Sequence, residues 1–171
     1  MIAYFVFDAA FGSKAPEFAP ADNTELPVQM RDDEKAAFRL WLKQNSAFRP
    51  ALLTDCLCEE DLPYIRKIYS NPHPYYAGGD FNKDGKRDFA IIVVDRSTPQ
   101  GAAPPKNFNS SVVIFGHDKS SGALEPFPLT PIGLPQSSLL FVSRETGELA
   151  VGKWEGEVSP ITFTANRYAY Q

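Results

Sequence analysis

The apolar positions of this chain follow two periods, and the change between them divides it. In "RDDEKAAFRLWLKQN" (31–45), Ala37, Phe38, Trp41 and Leu42 recur at three- and four-residue intervals, which places them on one buried face of a helix. Asp32 and Asp33 sit where the N-terminal end of the helix dipole favours negative charge, and Asn45 is placed to close the C-terminus. A second, shorter helix is expected over "EEDLPYIRKIYS" (59–70). It has acids in its first turn, where Pro63 is tolerated, and Tyr64, Ile65, Ile68 and Tyr69 on its apolar side.

Beyond residue 71 the helical period disappears. "DFAIIVVDR" (88–96) is a β-branched run of strand length, apolar on both faces, and so predicts a central strand. "SSVVIFGHD" (110–118) predicts another. "SLLFVSRETGELAVGKW" (138–154) predicts a hairpin turning at Glu145-Thr146-Gly147, and "SPITFTANRYAYQ" (159–171) a second hairpin turning at Ala165-Asn166. The proline-rich stretch "LEPFPLTPIGLP" (124–135) reads as too broken for regular structure, and residues 12 to 29 as an extended connector. The order of elements predicts an α+β fold, with N-terminal helices packed on a mostly antiparallel sheet of about five strands. Residues 1–171 read as a single domain: an N-terminal segment and connector (1–29), a helical part (30–70) and a β-rich part (75–171). No repeat of 20–50 residues is visible, which counts against a propeller or solenoid.

Composition narrows the functional classes. At 171 residues the chain is long enough to bury a core, and 43% apolar with 22% charged residues is ordinary for a globular protein. A net charge of −4 supplies no basic field for nucleic acid. Lys83, Lys86 and Arg87 come nearest to a basic cluster, and beside three acids they read as a solvated loop. No run approaches the ~20 apolar residues that span a bilayer, so no transmembrane segment is expected. "MIAYFVFDAAFG" reads as a first strand or core-packed anchor, with the remnant of an export signal as the alternative.

The densest chemistry is in "GGDFNKDGKRDFAIIVVD" (78–95). Asp80, Asn82, Asp84 and Asp88 stand at positions one, three, five and nine of a D-x-N-x-D-G-x-x-D pattern. Oxygen donors on alternate residues of a tightly curled loop can converge on one point. Gly85 allows the sharp turn, and the carbonyl of Lys86 supplies the seventh position. Six to eight hard oxygens in flexible geometry suit Ca²⁺ better than Mg²⁺. With no His or Cys in the loop, Zn²⁺ is a poor match. Position twelve is Ile91, within the expected strand, where an EF-hand would carry a bidentate Glu. The alternative is a plain strand-leading turn with solvated acids, but those acids would repel one another without a cation.

The wording of Gly79 to Asp88, followed by Phe89, Ala90 and Ile91, resembles the calcium loops of integrin-like FG-GAP and VCBS repeats. The resemblance spans about eighteen residues, and it implies a Ca²⁺ loop rather than the propeller fold of those repeats. Residues 75–171 also resemble uncharacterised secreted bacterial proteins carrying one such loop. Glu155, Glu157, Phe163, Asn166, Arg167, Tyr168, Tyr170 and Gln171 carry that likeness. It implies a secreted or periplasmic location and no activity. Extracellular Ca²⁺ modules bind in the millimolar range, consistent with that compartment.

Other chemistry is sparse. Cys56 and Cys58 form a lone C-x-C, without the second pair a four-Cys zinc site needs, and read as thiols or a strained disulfide. Glu155 and Glu157 would share one strand face beside Trp154, as a carboxylate pair acting on cell-wall or polysaccharide material would require. His117 and His73 are the candidate bases, with no G-x-S-x-G elbow to serve. The sequence thus favours a calcium-binding structural or binding module with a fold-stabilising ion. The alternatives are a hydrolase using Glu155, Glu157 or His117, and a protein inhibitor or assembly partner. Tyr75, Tyr76 and Trp154 are the candidate contacts for a protein or carbohydrate partner.

Overall fold

A computed structural model describes residues 26–27, 29–52, 55, 74–97, 110–118, 121–129, 138–143, 146–153, 158–164 and 167–170. The expected second helix (59–70), both cysteines, His73, and Trp154 with Glu155 and Glu157 lie outside the described residues.

Helix α1 spans Asp32–Gln44, as its periodicity predicts, with acids in the first turn and Asn45 as its C-cap. The Asn45 side chain and backbone N–H both donate to the Trp41 carbonyl (2.9 Å each), satisfying one of the acceptors that a helix end leaves open. The described strands are β1 (Phe48–Pro50), β2 (Tyr76–Gly79), β3 (Asp88–Asp95), β4 (Ser110–His117), β5 (Leu124–Pro128), β6 (Ser138–Val142), β7 (Leu149–Lys153), β8 (Val158–Thr164) and β9 (Arg167–Tyr170).

The expectation of one sheet of about five strands is corrected: the described residues form two antiparallel sheets, one of five strands and one of four. In the larger, β3 pairs with β4 on one edge, while β1 and β2 lie along its other edge against residues 93–95 and 88–91. The smaller sheet is a meander of β6, β7, β8 and β9, in which Thr164 pairs with Arg167 across the predicted Ala165-Asn166 turn. β6 and β7 form the first expected hairpin, with the Gly147 N–H donating to the Ser143 carbonyl at 2.9 Å.

The larger sheet is a middle layer, which explains its doubly apolar strands. Ala90, Ile92, Val94, Val112 and Ile114 pack toward the smaller sheet, against Leu140, Leu149, Val151, Ile161 and Tyr168. The alternate residues Phe89, Ile91, Val93, Val113 and Phe115 pack with Phe38, Trp41 and Met30 of the helical layer. Phe89 and Phe115 are register partners, stacked at 4.4 Å, and Phe38 meets Phe115 edge-on at 6.1 Å. Helix, sheet and sheet thus form three layers around two cores.

A second correction concerns residues 124–135, expected to be irregular: Leu124–Pro128 form β5, the outer strand beside β4. Pro126 and Pro128 are two residues apart, so their missing N–H groups fall on the side away from β4. The residue following, Leu129, donates to Val112 at 3.0 Å. Proline is tolerated on an edge strand for this reason, and it also blocks further strand pairing there. No helix among the described residues is long and apolar enough to cross a membrane.

Candidate metal centre

The loop between β2 and β3 carries four of the five sequence-derived ligand candidates, Asp80, Asn82, Asp84 and Lys86, and the fifth, Asp88, opens β3. Its sharp turns fall at Lys83 (φ 59°) and Gly85 (φ 83°), in the left-handed region. Apart from its immediate chain neighbours, no atom lies within 4 Å of where a Cβ on Gly85 would stand, so glycine is needed there for conformation alone. Gly85→Ala is expected to cost about 1–2 kcal/mol, read by urea unfolding, with no change in the denaturant slope.

The acidic side chains curl the loop by accepting from its backbone. Asp80 Oδ1 accepts from the Asp84 N–H (3.0 Å) and Oδ2 from that of Gly85 (2.9 Å). Asn82 Oδ1 also accepts from the Asp84 N–H (3.0 Å), and Asp84 Oδ1 from that of Lys86 (2.8 Å). The Asn82 amide donates to Asp84 Oδ2 at 3.2 Å. Among the described residues no group of three or more His, Cys, Asp or Glu side chains, Asp80, Asp84 and Asp88 included, is placed to hold a metal ion. A carboxylate has about four lone-pair positions, so these N–H bonds leave Asp80 and Asp84 with acceptor capacity for a cation.

Asp88 differs from the other candidates in being fully buried, although it opens β3 directly after the loop. Its Oδ2 accepts from the backbone N–H of Phe81 (3.0 Å) and Asn82 (3.3 Å), and from the Tyr168 hydroxyl (3.1 Å). Its Oδ1 is buried with no hydrogen-bond partner among the described residues. Burial raises the pKa of Asp88, the bonds to Phe81, Tyr168 and Asn82 oppose the rise, and the charge of Asp84 adds to it. Burial, with the Asp88 charge and bond, drives the Tyr168 hydroxyl far above its ordinary value. Tyr168 therefore stays a neutral donor. A Cβ on Gly116 would stand 3.3 Å from the Tyr168 hydroxyl and 3.6 Å from Asp88 Oδ1, so the bare glycine leaves that oxygen room.

A second tie runs to the helical layer. The Lys83, Lys86 and Arg87 group was expected to be solvated, and for Arg87 this is corrected. Its Nε donates to Glu34 Oε1 at 3.0 Å and its Nη2 to the Tyr76 hydroxyl at 3.1 Å. Glu34, only 1% exposed, also accepts on Oε2 from Tyr76 (2.7 Å) and from the Arg31 N–H (2.8 Å). Burial first, then the bond to Glu34, pushes the Tyr76 hydroxyl up to about 12, while its bond to Arg87 pulls the other way. The guanidinium crosses directly over Gly78, in space that any side chain there would fill. The loop is thereby bound to the helix through Arg87 and to the smaller sheet through Asp88.

No protein-family model, curated protein or solved structure matches this chain.

The sequence carries a signal for Glu34. It lies on the same helical stripe as Phe38 and Trp41, and a charge on an apolar stripe needs a buried partner. For Tyr168 the signal was fainter, an aromatic alternating with Tyr170 along a strand. Of the proposed catalytic groups, His117 ends β4, where its Nδ1 lies 2.7 Å from the Gly122 carbonyl. The tight turn that follows has Ser121 donating to Asp118 Oδ1 at 2.7 Å. His117 thus belongs to a hairpin.

Proposed function

We propose that this protein is a secreted or periplasmic module that binds one Ca²⁺ in the loop at residues 80–88, and that the ion stabilises the fold. Asp80, Asn82, Asp84 and Asp88 would supply side-chain oxygens, and Lys86 its carbonyl. The observation that carries the reading is the buried Asp88 carboxylate, whose Oδ1 has no hydrogen-bond partner among the described residues. Leaving such an oxygen unsatisfied costs about 1–3 kcal/mol, and more when it is charged. A hard cation drawn to the acids of this loop removes that cost and their mutual repulsion. The resemblance of residues 79–88 to FG-GAP and VCBS calcium loops supports the same ion.

The ion's role in this reading is structural. The loop's oxygens are engaged with its own backbone and with the two neighbouring layers. Binding that favours the folded state adds stability by mass action, about 2.7 kcal/mol when Ca²⁺ is at 100 times its Kd. The expected result is a lower melting temperature in chelator, recovered by Ca²⁺ and recovered less by Mg²⁺. Asp84→Ala should abolish the recovery. Identical melting curves in chelator, in Ca²⁺ and for the variant would refute the proposal.

A further inference from the structure

We propose that the Glu34–Arg87 ion pair couples Ca²⁺ occupancy of the loop to the docking of α1, so that losing the ion loosens the helix. This rests on the Ca²⁺ reading of residues 80–88 and adds a conformational consequence to it. Arg87 stands between Lys86, whose carbonyl is a proposed ligand, and Asp88, whose carboxylate is another. An ion holding both neighbours restricts the backbone of the residue between them, and so aims the guanidinium over Gly78 toward Glu34. Without the ion, that restriction is lost.

The two partners respond differently when the loop loosens. The Arg87 side chain is 34% exposed and reaches water by rotating outward. Glu34 cannot follow, because its side chain is 2% exposed beneath the helix. Removing one member of a buried ion pair strands the other charge in a poorly solvating environment. Relief comes when the first turn of α1 lifts. Phe38 and Trp41 lie on the same helical face as Glu34, and they would lose their packing against Phe115 and Phe48. Linkage is reciprocal, so the hold of Glu34 on Arg87 must also strengthen Ca²⁺ binding.

The test uses the full chain with Trp154→Phe, so that Trp41 is the remaining tryptophan. Chelation should shift Trp41 emission to longer wavelength, and Ca²⁺ should reverse the shift. By calorimetric Ca²⁺ titration, Glu34→Gln should weaken binding about fivefold or more, and Trp41 emission in that variant should no longer follow Ca²⁺. Tyr76→Phe, which removes one bridging hydroxyl and keeps both charges, should weaken binding in the same direction by less. It keeps the test decisive if Glu34→Gln does not fold. Should the parent bind Ca²⁺ with unchanged Trp41 emission, or the variants bind with parental affinity, the coupling is wrong and the loop reading stands. A parent that binds no Ca²⁺ overturns both.

Discussion

Asp88→Ala is expected to destabilise the protein by about 3 kcal/mol and to lower its melting temperature by roughly 6–12 °C. The substitution removes the acceptor for two backbone N–H groups and for the Tyr168 hydroxyl at once. The Phe81 and Tyr168 donors are left in a buried setting, each losing a bond to a charged group. The informative companion is Asp88→Asn, which keeps an acceptor oxygen and the side chain's shape but lowers the negative charge. In chelator it should lie well above Asp88→Ala in stability, while Ca²⁺ should raise its melting temperature little. If Asp88→Asn responds to Ca²⁺ as the parent does, Asp88 is not a ligand. Its role is then confined to the bonds it accepts.

The second large effect is expected in the other core. Phe38→Ala should cost about 3–5 kcal/mol, the range for truncating a buried aromatic. Phe38 is fully buried between the stacked Trp41 ring at 6.0 Å and the edge-on Phe115 ring at 6.1 Å. None of these neighbours can fill the space without leaving its own packing. Leu40→Ala, two residues along the same helix, should change stability by less than about 0.5 kcal/mol, since Leu40 is 59% exposed. Chemical denaturation of both variants in parallel measures the difference. Equal losses at the two positions would mean that α1 is not docked as described.

The loop and its surroundings show how the two kinds of information divide. Local chemistry announces the loop: donors on alternate residues, a glycine where the backbone must turn left-handed, and a β-branched run directly after it. Short-range periodicity likewise marks α1, β3, β4 and both hairpins, because those patterns arise from geometry within a few residues. β5 was hidden by its prolines, whose cost depends on which side of the strand faces a neighbour. β1 and β2 are short, and they lie outside any apolar run that would mark a strand.

What the chain's pattern could not contain is the identity of the surfaces that meet. An apolar face shows that something must cover it, but the hydrophobic effect is non-directional and does not say whether a helix or a sheet does so. Only the tertiary structure sets α1 on one face of β3 and β4 and the smaller sheet on the other. The ties at the loop are of the same kind. Tyr168 reaches Asp88 across 80 residues of sequence, and Glu34 reaches Arg87 across 53. A hydrogen bond or ion pair needs its partners within about 3 Å, and no local spacing rule relates positions so far apart. The sequence alone therefore marks the candidate loop, while the folded chain decides which layers that loop ties together.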